Sequence, residues 1–215
     1  SFVNSSSKSL ERIIITLEKM NIFGKDRLHI FKGDLRKEDD IDKVFQYSLD
    51  IKKPIQSVMH FAGLKSISDS NIKPLDYWDS NVVGTIKLLK IMEKYNCKNF
   101  VFSSSASVYK SISNNFLNEN DICEPVNNYG NTKLTIEKIL AQVYKSQPLK
   151  WRIGCLRYFN PVGAHELGLI GENPIVNTNN LYPRITKVAI GNLENIKIFG
   201  ADWPTKDGTC IRDYI

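Results

Sequence analysis

The run Asn99-Phe100-Val101-Phe102-Ser103-Ser104-Ser105 is a short apolar segment that ends in small polar residues, which is typical of a buried parallel strand. Similar apolar runs predict further strands at 28–31, 55–61 and 151–157. Apolar residues at three- and four-residue spacings predict helices that alternate with these strands, over 7–21, 39–49, 74–95 and 129–146. This alternation predicts βαβ units, and therefore a doubly wound α/β fold with a parallel sheet covered on both faces.

The carboxyl ends of the predicted strands carry small and polar residues. These are Asp34, Gly63, Ser103 to Ser105, and Tyr158-Phe159-Asn160. Ligands of open α/β sheets bind in the crevice at this edge. Beyond Pro161 the pattern becomes irregular, with a helix predicted at 181–191 and a strand at 196–199. We therefore predict a sheet domain over 1–160 and the start of a smaller substrate-binding part over 161–215.

The stretch Tyr129-Gly130-Asn131-Thr132-Lys133 opens the helix that follows this serine-rich strand end. Residues four apart lie on one helix face, about 6 Å apart at Cβ, so an ammonium can sit beside a phenol. We expect Lys133 to lower the pKa of Tyr129 from its ordinary value of about 10. The phenol would then remove a proton from a substrate hydroxyl near neutral pH. The same spacing arises by chance in many helices. Its position after a strand that ends at Ser105 is what favours a catalytic role.

Composition and charge argue against several classes of protein. Hydrophobic residues make up 42% of the 215, which is enough to fill one sizeable core. The net charge is +6 and the pI about 9.0, but lysines are interspersed with acidic residues, so we expect no nucleic-acid partner. No apolar run reaches the ~18 residues of a membrane span, and the chain starts without a signal peptide's apolar segment.

The cysteines and histidines favour neither disulfides nor a metal site. Cys97, Cys123, Cys155 and Cys210 lack metal-ligand spacing, and Cys155 is predicted to be a small core residue within a strand. The three histidines lie far apart in the sequence. We therefore predict no metal, no membrane and a cytoplasmic location.

Several segments together resemble one family of enzymes, and the resemblance runs along essentially the whole chain. They are Val58 to Lys65, Phe102 to Tyr109, Tyr129 to Lys133, Leu156 to His165 and Asp207 to Ile215. They are similar to segments of the UDP-glucose 4-epimerases, a family of the extended short-chain dehydrogenase/reductase superfamily of NAD-dependent epimerases and dehydratases. The segments ending at His165 and Ile215 are quite specific, whereas Tyr-x-x-x-Lys occurs throughout the superfamily.

The resemblance implies a Rossmann-type fold with a tightly held NAD that acts as catalyst rather than co-substrate. The reaction would interconvert UDP-glucose and UDP-galactose by transient oxidation at the sugar C4, with no net redox change. Tyr129 would remove the proton of the 4-hydroxyl. Lys133 would lower the pKa of Tyr129 and hold the nicotinamide ribose, and Ser105 would hydrogen-bond the 4-hydroxyl and help relay its proton. A homodimer is also usual for such enzymes.

The resemblance also implies two sets of binding residues. NAD would contact Asp34, Leu35, Phe61, Ala62, Gly63, Lys65, Asn81, Ser103, Tyr129, Lys133, Tyr158 and Phe159. The UDP-hexose would contact Lys65, Ser105, Tyr129, Asn160, Asn180, Leu181 and Arg212. Arg212 would bind the diphosphate oxygens by charge-assisted hydrogen bonds.

The chain departs from the family pattern at its start. The family begins with a strand and a Gly-x-x-Gly-x-x-Gly turn that holds the NAD pyrophosphate, and no such run occurs here. We therefore expect an interior fragment that lacks the first βα unit and the C-terminal part, and whose activity belongs to a longer polypeptide. Without that strand, the sheet would keep an unpaired edge.

Other functions are open at this point. A sugar-nucleotide dehydratase of the same superfamily would carry an acidic residue just after the strand-end hydroxyl, where this chain has Ala106 and Ser107. A truncated, nonenzymatic remnant would bind a nucleotide sugar without NAD. A polyanion binder would show salt-sensitive binding to duplex DNA.

Most candidate residues also have a plainer interpretation. Ser103 to Ser105 would cap a strand, Asp34 would be a turn residue, and Lys65 a solvated loop lysine. Asn81 and Asn160 would hold loop backbone, Phe159 would be core, and Arg212 would pair with Asp207 or Asp213 on the surface. The match of all these positions together favours the functional interpretation.

Overall fold

The computed structural model describes residues 6–22, 27–110, 116–174 and 180–215. The helices are α1 (Lys8–Lys19), α2 (Glu38–Asp50), α3 (Ile67–Ile72), α4 (Pro74–Tyr77), α5 (Gly84–Lys94), α6 (Asn128–Ser146) and α7 (Leu181–Ala189). The strands are β1 (Ser57–His60), β2 (Asn99–Ser105) and β3 (Arg152–Tyr158). A π-helical turn, Trp78–Val83, joins α4 to α5 without a break, and a short 3-10 turn, Ala106–Val108, follows β2.

The three strands form one parallel sheet in the order β1-β2-β3. His60 pairs with Phe102, Phe102 with Cys155, and Ser105 with Tyr158. Parallel neighbours require crossover connections, and α3 to α5 and then α6 provide them. The sheet and its flanking helices confirm the predicted α/β fold of Rossmann type.

The core lies between the sheet and the helices that cross over it. Phe100, Phe102, Met92, Ile136 and Leu140 are at most 1% exposed, and they contribute to one apolar cluster. Full burial of one such side chain stabilises a fold by about 1.5–3 kcal/mol. These contacts fix α5 and α6 against β2, and so fix the position of its serine-rich end.

The described residues divide into two compact units. One is Phe31–Phe159, and the other combines the chain up to Ile30 with Asn160–Ile215. The domain boundary predicted at residue 160 stays a prediction. None of the described helices is long and apolar enough to cross a membrane.

Two strand predictions were wrong. Neither 28–31 nor 196–199 forms a strand, and apart from two isolated bridges the described residues contain only the β1-β2-β3 sheet. An apolar run shows only that a segment has a hydrophobic face, whereas a strand also needs a hydrogen-bonded neighbour. Cys155 was predicted to be buried but is exposed, because β3 is an edge strand of the described sheet.

The second unit brings together the two most specific sequence motifs. The Asn160 N–H and its side-chain amide both donate to the Asp213 carbonyl, at 3.2 and 2.8 Å. Ile215 N–H donates back to the Asn160 carbonyl at 3.2 Å, which makes a parallel bridge between the segments. The rings of Tyr182, in α7, and Tyr214 meet edge to face with centroids 5.3 Å apart.

Candidate active site

Lys133 ties helix α6 to the end of strand β2. Its ammonium donates a hydrogen bond to the Ser103 carbonyl oxygen at 2.7 Å and lies 4.8 Å from the centre of the Phe102 ring. The residue is only 5% exposed. Burial disfavours the charged form and lowers the pKa of Lys133 to about 8. The pKa of this ammonium therefore lies closer to neutral pH than that of an exposed lysine.

Tyr129 lies one turn before Lys133, with its ring centroid 5.8 Å from the Lys133 Nζ. Burial raises the pKa of Tyr129 above its ordinary value, while a hydrogen bond from Ser105 acts in the opposite direction. The expected net lowering by Lys133 was therefore wrong for this structure, because desolvation outweighs the other effects. The sequence showed the spacing of the pair, but the burial of the phenol was not visible in it.

Ser105 connects the strand end to the phenol. Its Oγ hydrogen-bonds Tyr129 and also accepts the Ser107 backbone N–H at 3.1 Å, which caps the short turn after β2. Ser105 thus caps the turn, as in the plainer interpretation, and also bonds Tyr129, whereas its contact with a substrate hydroxyl stays a prediction. Ser103, Ser105, Tyr129 and Lys133 form one connected cluster.

The start of α6 is fixed by residues that the sequence analysis missed. The Tyr129 N–H donates to Ser70 Oγ at 3.1 Å, and Ser70 is completely buried in the short helix α3. Asn127 caps α6 by accepting the Gly130 N–H at 2.8 Å. A Cβ at Gly130 would clash with the Ser107 carbonyl, so glycine permits the close approach of α6 to the end of β2. The α3 segment is too short to show a helical period in the sequence.

Asn81 holds the loop that follows β1. Its Oδ1 accepts the Leu64 N–H at 2.8 Å, and its Nδ2 donates to the Leu64 carbonyl at 3.0 Å and to Thr132 Oγ1 at 3.2 Å. Asn81 is 2% exposed and lies in the π-helical turn. A Cβ at Gly63 would lie 3.0 Å from Asn81 Oδ1, so the loop runs very close to it. The structure thus shows the loop-holding role, and cofactor contact by Asn81 stays a prediction.

The loop after β1 presents exposed residues at the carboxyl edge of the sheet. Phe61, Ala62, Gly63 and Lys65 are all exposed, and the Phe61 and Tyr158 rings lie 6.4 Å apart at their centroids. Phe159 follows Tyr158 and is half-buried, so it is not the core residue of the plainer interpretation. The Phe61 and Tyr158 rings offer an apolar surface at the same edge as the cluster around Tyr129.

Asp34 and Leu35 follow the segment at 28–31. The Asp34 carboxylate accepts hydrogen bonds from Arg36, at 2.6 Å from Nη2, and these lower its pKa to about 2. Arg36 also reaches Asp79, at 3.3 Å. Leu35 is half-buried and packs against the core. The predicted adenine contacts of Asp34 and Leu35 stay predictions.

The remaining predicted substrate residues belong to the second unit. Asn160 holds the C-terminal motif, as described above, and Asn180 donates to Glu172 at 3.1 Å. Leu181 begins α7 and is 41% exposed, and Arg212 is exposed and donates to the Ile211 carbonyl at 2.8 Å. Their roles in substrate binding stay predictions.

The groups at the carboxyl edge fit the nicotinamide end of a dinucleotide. An ammonium has three N–H donors, of which the Ser103 carbonyl takes one, and ribose hydroxyls are suitable acceptors for the others. The exposed Phe61 ring and the half-buried Tyr158 ring suit a flat heterocycle. The sheet topology places all of these groups where such folds bind nucleotides.

The parallel Rossmann-type sheet, with serine, tyrosine and lysine at its carboxyl edge, places the chain in the class of nucleotide-binding α/β folds. The sequence model of the NAD dependent epimerase/dehydratase family matches residues 6–215, and the chain belongs to this family. This confirms the resemblance drawn from the motifs.

Individual relatives support the same assignment. The chain is 44% identical to a bifunctional UDP-glucose 4-epimerase and UDP-xylose 4-epimerase of Pisum sativum, over all of this chain and 59% of the relative. It is 43% identical to a UDP-glucose 4-epimerase of Bacillus subtilis, over 99% of this chain and 59% of that protein. The chain thus spans about three-fifths of the length of these relatives.

A solved structure has the same fold. The UDP-glucose 4-epimerase of Bifidobacterium longum, in complex with NAD+ and UDP, superposes with a TM-score of 0.86 and 42% identity. The match covers 99% of this chain and 60% of that one.

Proposed function

We propose that this chain carries the catalytic centre of a 4-epimerase that interconverts UDP-glucose and UDP-galactose with NAD as its cofactor. The observation that carries the proposal is the connected cluster of Ser103, Ser105, Tyr129 and Lys133 at the carboxyl edge of the sheet. The Pisum sativum, Bacillus subtilis and Bifidobacterium longum relatives support the choice of reaction.

Tyr129 is the residue that accepts and returns the proton of the sugar 4-hydroxyl. Its phenol already hydrogen-bonds Ser105, so a substrate hydroxyl that bonds both groups gains a short path for its proton. The nearby Lys133 ammonium favours phenolate, although burial of the phenol opposes it. Bound NAD supplies the reversible two-electron oxidation at C4, and the epimer forms without net redox change.

The NAD site comprises the residues along the carboxyl edge and the two preceding loops. Lys133 and Tyr129 hold the nicotinamide ribose, and Phe61, Ala62, Gly63, Lys65, Asn81, Ser103, Tyr158 and Phe159 line the rest, with Asp34 and Leu35 at the adenine end. Two observations support this NAD site. The Phe61–Lys65 loop is largely exposed, and Asn81 holds the loop by hydrogen bonds to the Leu64 backbone.

In the first unit, the proposed contacts of the UDP-hexose are Lys65, Ser105 and Tyr129. In the second unit, the proposed contacts are Asn160, Asn180, Leu181 and Arg212. Arg212 is exposed and cationic, as diphosphate recognition requires. Asn160 is anchored through the Asp213 carbonyl, which gives the Arg212-Asp213 segment a fixed conformation.

A dehydratase is not favoured, because the turn after Ser105 contains no acid. Ala106 and Ser107 begin that turn, and Val108 after them is fully buried. Elimination of water needs a general acid at the leaving hydroxyl, and no side chain of the turn supplies one.

We also propose a cytoplasmic homodimer. An apolar groove between α5 and α6 supports self-association, and it is lined by Ile86, Leu89, Lys90, Glu93, Ile139, Val143 and Trp151. The cytoplasmic location rests on the four cysteines, which are all unpaired. Light scattering on the full-length protein tests the assembly, and Val143→Glu is expected to shift a dimer towards monomer.

The reaction is tested by incubating the full-length protein with UDP-galactose and following the sugar by proton NMR. We expect UDP-glucose to appear until the two epimers reach equilibrium. Formation of a 4-keto-6-deoxy sugar would instead identify a dehydratase. Saturable binding of UDP-galactose without any turnover would identify a nonenzymatic remnant.

A further inference from the structure

Three residues of α6 contact three consecutive residues of β2. Tyr129, Lys133 and Glu137 are spaced four apart and so share one helix face. Tyr129 bonds Ser105, and Lys133 bonds the Ser103 carbonyl at 2.7 Å. Between them, the Ser104 hydroxyl donates to Glu137 Oε1 at 2.5 Å. Glu137 thus makes a third contact between this helix face and the serine run, beside the contacts of the proposed catalytic pair Tyr129 and Lys133.

Glu137 is also held from the neighbouring strand. Arg157 donates from Nε to Oε1 at 3.1 Å and from Nη2 to Oε2 at 2.8 Å, which is a two-point ion pair. Arg157 pairs in register with Ser104, so both partners of Glu137 lie side by side in the sheet. The side chains of Arg157 and Glu137 are only 19% and 10% exposed.

Arg157 is itself fixed by two further contacts. Its Nη1 donates to the Glu119 carbonyl at 3.0 Å, and its guanidinium lies 4.8 Å from the centre of the buried Tyr109 ring. The pair therefore joins β2, β3, α6 and the segment before α6. Each of these either carries or adjoins a residue of the proposed catalytic cluster.

A largely buried ion pair reacts strongly to the loss of one partner, because the remaining charge lacks its counter-ion. Without the carboxylate, Arg157 would turn away or admit water. The Ser104 hydroxyl, which donates to Glu137, would lose the fixed position of its acceptor. Since Ser104 lies between Ser103 and Ser105, this would displace the bonding partners of Lys133 and Tyr129. The effect would reach the phenol without any contact between Glu137 and a substrate.

We propose that Glu137 and Arg157 are positioning residues, which hold α6 against the strand ends so that Tyr129 and Lys133 stay aligned with Ser105. This inference rests on the proposed function of that cluster. The sequence spacing agrees with it, because Glu137 continues the Tyr129–Lys133 face by one more turn.

The test compares Glu137→Gln and Arg157→Lys with the unmodified full-length protein. Glu137→Gln keeps the size of the side chain and removes its charge, and Arg157→Lys keeps the charge and removes the two-point geometry. Each is expected to lower kcat about 10- to 100-fold with little change in KM. The acid limb of the kcat–pH profile is expected to move to higher pH, because a weakened Ser105 bond favours the protonated phenol.

The matched control is Asp42→Asn, which breaks a surface ion pair with Lys94 between α2 and α5. It should leave kcat, KM and the pH profile unchanged. A general loss of stability would scale kcat equally at every pH and leave the acid limb in place. An unmoved acid limb in both Glu137→Gln and Arg157→Lys, or kcat within twofold of the unmodified protein, would overturn the inference.

A second readout is independent of turnover. Lys133 is buried, so its acetylation by acetic anhydride, followed by mass spectrometry, should be slow in the wild-type protein and about tenfold faster in Glu137→Gln. An absence of turnover in the wild-type protein would contradict the proposed function alone. Equal labelling of Lys133 in the variant and the wild-type protein would contradict the positioning role.

Discussion

The Lys133 ammonium bonds the Ser103 carbonyl oxygen at 2.7 Å, so the lysine is anchored to the strand whose last serine bonds Tyr129. This contact buries a charged group inside the sheet–helix interface. The pKa of Lys133 is lowered and the pKa of Tyr129 beside it is raised, and burial is the main cause of both shifts.

The burial of Lys133 predicts a pH dependence of stability. Its pKa is about 8 in the folded protein and 10.5 as the ordinary value, so the unfolded chain binds more protons between these two pH values. The free energy of unfolding should therefore rise with pH over this window, by about 1.4 kcal/mol per unit relative to Lys133→Met. Urea denaturation at several pH values measures it, with Lys145→Met, an exposed lysine on the same helix, as the control. A constant difference between Lys133→Met and the unmodified protein would contradict the account.

Asn81→Ala is expected to destabilise the protein by about 2–3 kcal/mol, because it leaves the partly buried Leu64 N–H and carbonyl without their partner. The loop from Phe61 to Lys65 should loosen, and the amount of NAD that copurifies should fall. The control Asn99→Ala removes one hydrogen bond to the Gln56 carbonyl and should have a smaller effect. Equal denaturation midpoints for the two variants would contradict the role of Asn81 in holding the loop.

Gly130→Ala is expected to cost about 1–3 kcal/mol, since the new Cβ meets the Ser107 carbonyl and the start of α6 must shift. Tyr129 shifts with it, so kcat should fall as well. Gly154 in β3 provides a matched control, because a Cβ there has no neighbour within 4 Å. The two alanine variants are compared by thermal unfolding and by turnover, and a Gly130→Ala variant as stable and active as Gly154→Ala would refute the close approach.

The sequence predicted those features that depend on local periodicity. The helices expected at 39–49 and 129–146 correspond to Glu38–Asp50 and Asn128–Ser146, and the serine-rich strand end lies beside Tyr129 as the parallel topology requires. The resemblance supplied the family, which the family comparison confirmed. These predictions succeeded because a hydrophobic period and a motif are both properties of contiguous residues.

The failures concern partners that are distant in the sequence. The run at 28–31 has the composition of a strand, but no strand of the described residues pairs with it. Burial of the phenol, which reversed the expected pKa shift of Tyr129, depends on how α3, α6 and β2 pack. Ser70 and Arg157 were overlooked for the same reason, because each reaches the site from another element.

The most direct test of the central claim is the turnover of UDP-galactose by Tyr129→Phe in the full-length protein. Phenylalanine keeps the ring and removes the hydroxyl that bonds Ser105, so kcat should fall about 100-fold or more. Tyr144→Phe, on the exposed side of the same helix, should retain full activity and shows that a lost hydroxyl alone is harmless. Equal turnover by Tyr129→Phe and Tyr144→Phe would mean that Tyr129 is not the base of this enzyme.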